Sequence, residues 1–308
     1  MEASHYPERD LHRAILAEGL PRAWSIGIYI GPSPFNLSPA PGINNPVLSS
    51  SDVADVPAGF LADPFMVLRN GVWHMFFEVL NKQTARGEIG LATSDNGFDW
   101  MYQQIVLAEP FHLSYPYVFE YDNEFYMVPE TLQAAAVCLY KAEEFPGRWS
   151  QMSQLVQGSC ADSSILYFEE RWWMFTCSTP YEHDTLRLYF ADNLMGPWIE
   201  HPASPIVEGN KHNARPAGRI LEFDDRIIRF AQDCVPEYGT QIRAFEISKL
   251  TSSDYVEREN DQSPVLTASG NGWNSLGMHH IDAHVVANGQ WIACVDGLAH
   301  AANGSAVE

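Results

Sequence analysis

The chain has 308 residues, 46% hydrophobic and 12% aromatic, enough to bury one large core or two small ones. Its 39 acidic residues outnumber 18 basic ones, and a formal net charge of −21 repels phosphate backbones and anionic lipid, which argues against nucleic acid and membrane surfaces as partners. No apolar run approaches the roughly 20 residues of a membrane helix, the opening MEASHYPERDLHRA lacks a signal-peptide core, and Cys138, Cys160, Cys177, Cys234 and Cys294 form no C-x-x-C pair; a cytoplasmic protein with reduced core thiols is expected.

Residues 1–23 read as an N-terminal extension. IGIY from Ile26 then alternates like a strand and is followed by NPVL at 45–48. Five strand–turn–strand segments come after it: ADPFMVLRNGVWHMFFE, SYPYVFEYDNEFYMVPE, ADSSILYFEERWWMFTC, ARPAGRILEFDDRIIRFAQD and HHIDAHVVANGQWIACVD. Their turns carry Asn-Gly, Asp-Asn-Glu, Glu-Glu, Asp-Asp and Asn-Gly, which is hairpin chemistry. Four second strands open on an aromatic, Trp73, Phe125, Trp172 and Trp291, and the fourth opens on Ile227; each hairpin should pack on its neighbours through that position. Between the hairpins lie IGLA, VCLY, LRLY and IRAF, each followed by a short apolar run, whereas the fifth hairpin is followed only by a short tail. Half a unit, four whole units and the complementary half are what a ring requires, so the pattern predicts an all-β, five-bladed β-propeller over residues 24–297, closed by its N-terminal strands, with a C-terminal tail at 298–308. Repeats about 50 residues apart suit four-stranded blades. Two stacked antiparallel sheets are the alternative, but they give no reason for the split half-unit.

In a propeller the innermost strands start at one mouth of the channel, and the antiparallel second strands end there. That mouth should gather Asp63, Tyr115, Asp162, Arg215, His279, His280 and Asp282 from strand starts. Glu78, Glu130, Cys177, Asp233 and Asp296 should join them from strand ends. Like charges around a narrow channel cost stability, so a function is expected of them; the bland reading is that each caps a strand end.

At these residues the chain resembles two related groups. LADPFMV with Asp63 and ADSSILYFEERWWMF with Asp162 resemble the strand-opening aspartates of five-bladed glycoside hydrolases, family 43 and its sucrose-cleaving relatives. DPF, FHLSYPYVF, YMVPET, NARPAGRI, QDC, YG, GMHHID and VDG, in that order, resemble more closely the N-terminal propeller domain of plant glucosamine inositolphosphorylceramide transferases and its bacterial relatives. The resemblance implies a carbohydrate site at the mouth, with Asp63 as base and Asp162 orienting it. It also implies a domain fused to, or associated with, a glycan-modifying enzyme. The blade-four glutamate of family 43 is absent, since this chain reads Ala214-Arg215-Pro216 there.

Glycoside cleavage generally needs two carboxyl groups, one protonated and one ionised. Glu130 is the best replacement acid and Glu78 the next, which makes Asp63, Glu130 and Asp162 the expected catalytic set. Arg215 is expected to grip a substrate carboxylate, phosphate or hydroxyl pair, pointing to an acidic or amino-modified sugar. Glu78, Tyr115, Asp233, His279, His280 and Asp296 are expected to bind substrate, with Tyr115 and Tyr117 stacking on a sugar ring. No cofactor is required. Strand alternation in HHIDAH nevertheless puts His280, Asp282 and His284 on one face, a possible divalent-metal set, although hydrogen bonding from His279 or His280 to sugar hydroxyls is the simpler reading. Three classes stay open: a glycosidase-like enzyme, a non-catalytic glycan-binding module, and a metal-dependent amino-sugar deacetylase.

Overall fold

A computed structural model describes residues 21–301. Its strands form five antiparallel sheets arranged as the blades of a propeller, and the only helices among the described residues are three single 3-10 turns. Blade one comprises Ala58–Arg69, Val72–Asn81, Arg86–Ser94 and Met101–Leu107. Blade two comprises Ser114–Tyr121, Glu124–Glu130, Ala136–Glu144 and Arg148–Gln157, and blade three Ala161–Phe168, Arg171–Cys177, Leu186–Ala191 and Ile199–Glu200. In blade four the innermost strand is broken into Arg215–Pro216 and Leu221–Phe223, both paired with Arg226–Asp233; Gln241–Leu250 follows, flanked by Tyr255–Glu259 and Leu266–Thr267.

Blade five joins the two ends of the chain. Ile281–Val285 and Trp291–His300 continue into Arg22–Ser33 and Asn36–Pro39, in an unbroken register from Arg22 opposite His300 to Gly31 opposite Trp291. The closing strands therefore begin at Arg22 and run to His300, slightly beyond the 24–297 read from the sequence. The half-unit signature has a physical basis in pairing: Ile26 bridges Leu48 as Ile89 pairs with Leu107, Leu186 with Val207 and Ile242 with Leu266.

The anchor residues seal the seams between blades. Trp73 packs edge-on against His284 of blade five, Trp172 against Phe119 and Tyr121 of blade two, and Trp291 against Phe223 of blade four. Arg69 of blade one covers the ring of Phe125, and Ile227 shares a buried cluster with Trp173 and Phe175 of blade three. Each anchor thus contacts the preceding blade in the ring. Burying such rings is the main source of cohesion between sheets that share few backbone hydrogen bonds.

Candidate functional site

The first strands of blades one, two and three each carry an extra residue at the mouth. Pairing runs Ala62 to Glu78 and then Phe65 to Phe76, Ser114 to Glu130 and then Tyr117 to Val128, and Ala161 to Cys177 and then Ser164 to Phe175. The extra residues include Asp63, Tyr115 and Asp162, with φ of 52, 46 and 50°, a left-handed conformation that is uncommon for side-chain-bearing residues and most strained for a tyrosine. A bulge frees a backbone N–H from the ladder, and that donor must be satisfied inside the protein. Asp63 N–H donates to Asp296 Oδ2 (3.1 Å), Tyr115 N–H to Asp63 Oδ2 (3.3 Å) and Asp162 N–H to Glu130 Oε2 (3.3 Å). Each acceptor belongs to the preceding blade. A ring of acids in a buried place is therefore in part a relay of backbone acceptors across the seams.

Arg215 forms the second element of the mouth. Its Nε donates to Asp162 Oδ2 (2.5 Å), its Nη2 to Glu130 Oε2 (3.3 Å), and its Nη1 to the Pro180 carbonyl (2.9 Å) and His183 Nδ1 (3.0 Å); the guanidinium lies over the Tyr238 ring at 5.1 Å. Gln232 Nε2 also donates to Asp162 Oδ2 (2.8 Å). Burial and the adjacent Asp162 push the Glu130 carboxyl up to about 8, against the pull of Arg215 and His112. Burial, with Arg215 beside it, drives His183 down to about 3 and keeps it neutral.

The third element is the histidine pair. Asp296 accepts from the backbone N–H groups of His279 (3.1 Å) and His280 (3.0 Å) through Oδ1, and its Oδ2 pairs with His279 Nδ1 at 2.8 Å. Burial opposes protonation of His279, yet Asp296 and Asp63 push it up to about 9; Asp296 is correspondingly held below the usual carboxylate range. Burial pushes His280 the other way, to about 4. His279 Nε2 and His280 Nδ1 stand 3.5 and 3.6 Å from Asp63 Oδ1, which has no hydrogen-bond partner among the described residues. Burial pushes Asp63 well up; His279 works against this, while Asp162, Asp296 and Glu78 reinforce it. Glu78 lies 3.2 Å from His112 Nε2, and the His112 ring is raised by Glu78 in spite of its burial.

The structure thus brings Asp63, Glu130, Asp162, Arg215, His279, His280 and Asp296 into one connected cluster, but several expected roles change. Arg215 is committed within the protein rather than held free for a ligand, because Nε, Nη1 and one donor of Nη2 are engaged by Asp162, Pro180, His183 and Glu130. Tyr115 offers no stacking face: it is fully buried, its hydroxyl bonded to Ser164 Oγ and to the N–H and carbonyl of Gly218, and its ring against Phe65 and His280. Tyr117 is likewise buried, under Arg219. Asp296 is saturated by three backbone N–H groups and His279, so it positions the cluster without reaching a substrate.

Asp233 lies outside the cluster. In blade four Arg215 pairs directly with Gln232 and Pro216 with Ala231, without the extra residue found at the mouth of the first three blades, and this difference turns Gln232 towards the mouth and Asp233 towards His212, Gln241 and Arg243. His280, Asp282 and His284 do not form a metal set either. Asp282 is taken up by Arg219 (2.7 Å), the Met66 N–H (2.7 Å) and His284 (2.9 Å), while His280 sits against Phe65 and Tyr115.

The sequence reading missed Gln232, His112, His183, Tyr238 and Trp24, the last stacked on His279 with centroids 4.0 Å apart. Gln232, His112 and Tyr238 were marked only as members of QDC, FHLSYPYVF and YG. His112, His183 and Tyr238 lie outside the strands, where no periodicity points to a site.

The five-bladed ring is shared with solved structures of glycoside hydrolases, which show the class of fold. The catalytic domain of the Coprinopsis cinerea GH62 α-L-arabinofuranosidase superposes with a TM-score of 0.58 over 89% of this chain and 96% of its own, at 10% identity. A β-xylosidase gives 0.55 over 68% and 77%, at 17% identity. More specifically, the model of the family described as glucosamine inositolphosphorylceramide transferase 1, N-terminal, matches residues 18–298, and the chain belongs to that family. Glucosamine inositolphosphorylceramide transferase 1 of Oryza sativa subsp. japonica is 35% identical over 89% of this chain, and that of Arabidopsis thaliana 33% over 89%. The chain covers 40% and 39% of the length of those relatives.

Proposed function

We propose that the mouth binds an amino-modified sugar of a glycoconjugate, and that recognition rather than hydrolysis is the task of this propeller. The observation that carries this reading is Arg215. It stands where family 43 enzymes are expected to carry their acid, and it ties Glu130, the carboxyl group that hydrolysis would need free as its acid, to Asp162, the expected orienting residue. With Arg215 held by Asp162 and Glu130 and the charge of His279 set between Asp296 and Asp63, the described cations of the mouth are already matched to carboxylates, which disfavours an acidic sugar. The polar atoms left without partners include the acceptors Asp63 Oδ1 and Gln232 Oε1, which suit a ligand rich in N–H and O–H donors. The relatives' name, a transferase of glucosamine, supports the same sugar class.

A second reading keeps the chemistry. Glu130, held protonated to about 8, has the acid form that a leaving group requires, and Asp63 at the same mouth is its expected partner. The two readings separate by experiment. Titration calorimetry with glucosamine, N-acetylglucosamine, glucose and glucuronate should show the amino sugars binding, glucuronate not binding, and Asp63→Asn weakening binding at least tenfold. Sugar release from a panel of aryl glycosides, lost in Glu130→Gln, would replace recognition with hydrolysis.

A further inference from the structure

The opposite face of the propeller is built differently. The innermost strands end there, and the residue facing each anchor position is Leu68, Glu120, Tyr167, Glu222 or Val285 in blades one to five. All five are exposed, with Leu68 at 52%, Tyr167 at 43% and Val285 at 61%, and Tyr121 beside Glu120 adds another exposed ring at 37%. Tyr121 and Tyr167 meet across the seam between blades two and three with centroids 5.6 Å apart, both resting on the buried Trp172. Tyr121 and Tyr167 form a contiguous exposed apolar pair, and Leu68 and Val285 hold the equivalent register position in blades one and five; apolar side chains so placed inside a polar rim mark an interaction surface.

The rim is acidic. The hairpin turns of blades two, three and four carry Asp122, Glu169, Glu170, Asp224 and Asp225. The arginines flanking the turns of blades one, three and four are already engaged, Arg69 with Glu120, Arg171 with Asp192, and Arg226 with Asp224 and Glu246. Asp122, Glu169, Glu170, Glu222 and Asp225 have no salt bridge among the described residues.

We infer that this face docks a segment of a partner protein that presents apolar side chains between lysines or arginines. The apolar centre supplies burial and the collar supplies charge complementarity, which steers association and rejects acidic surfaces. An acidic or uncharged occupant, including a second copy of this chain with its net charge of −21, would meet a repulsive or indifferent rim.

Fluorescence anisotropy with three labelled 12-residue peptides tests this: an amphipathic Lys–Leu peptide, its Glu–Leu counterpart, and a Lys–Ser peptide of equal charge. The Lys–Leu peptide should bind and the other two should bind at least tenfold more weakly. Tyr121→Ser with Tyr167→Ser should weaken Lys–Leu binding at least tenfold, and Glu169→Lys with Glu170→Lys, which leaves Trp172 covered, should do so independently. Equal binding of the Lys–Ser peptide, undiminished binding to the charge-reversed protein, or concentration-dependent self-association abolished by the tyrosine substitutions would each overturn the inference.

Discussion

Asp296 makes no contact with solvent, yet it holds the mouth together. Its two oxygens fix the backbone on both sides of the seam between blades five and one, and its charge keeps a proton on His279. This coupling has a sign that stability measurements can read. The His279 pKa is raised from 6.5 to about 9 on folding, so its contribution is complete below pH 6.5 and is lost as pH rises through about 9. Glu130, raised to about 8, acts in the same direction over a window that starts in the ordinary carboxylate range. Melting temperature should therefore fall between pH 6.5 and 9. His279→Gln should lower it overall and flatten that fall; an unchanged slope in the variant would place the titration elsewhere. Asp63, Asp162, Glu130 and the histidines could be named from the sequence because strand starts and ends converge by geometry. Their bonding could not, because it depends on three bulges and on which oxygen meets which blade.

At the scale of the element, the hairpin is the unit that the sequence specifies. Asn-Gly, Asp-Asn and Asp-Asp turns set the register, and the second residue after the turn pair becomes the anchor on the preceding blade. Trp172 is buried against Phe119, Tyr121 and Tyr167, so Trp172→Ala should cost about 3–5 kcal/mol, whereas Ile227→Val at the equivalent place in blade four should cost about 0.5–1.5 kcal/mol. Chemical denaturation of the two variants checks the ordering; equal losses would mean that the anchors do not carry the seams. Blade four was the least legible element. Its first strand is split around Gly218, whose φ of 131° and close approach to the Ile281 carbonyl leave no room for a side chain, and alternation through such a break does not predict which residue faces the mouth.

For the whole molecule the decisive contact is closure. Arg22–Ser33 supplies the third strand of blade five and buries Ile26 and Ile28 in the cluster shared with blade one. Removing residues 1–33 would leave Trp291–His300 as an open apolar edge, the arrangement that drives aggregation. The truncated chain should lose its cooperative thermal transition, and a separate peptide spanning residues 22–39 should restore part of it. A truncated chain that melts like the parent would show that the other four blades are self-sufficient.

The count of blades, the split unit and the gathering of acids at one mouth followed from the sequence by itself, because hairpin turns and alternating strands are local devices whose signals survive in a linear string. The occupation of Arg215, the burial of Tyr115, the exchange of Asp233 for Gln232 and the exposed rings around the far opening were decided only in three dimensions. Each depends on contacts between residues dozens to hundreds of positions apart, and a one-residue shift in a strand reverses the side on which a group appears.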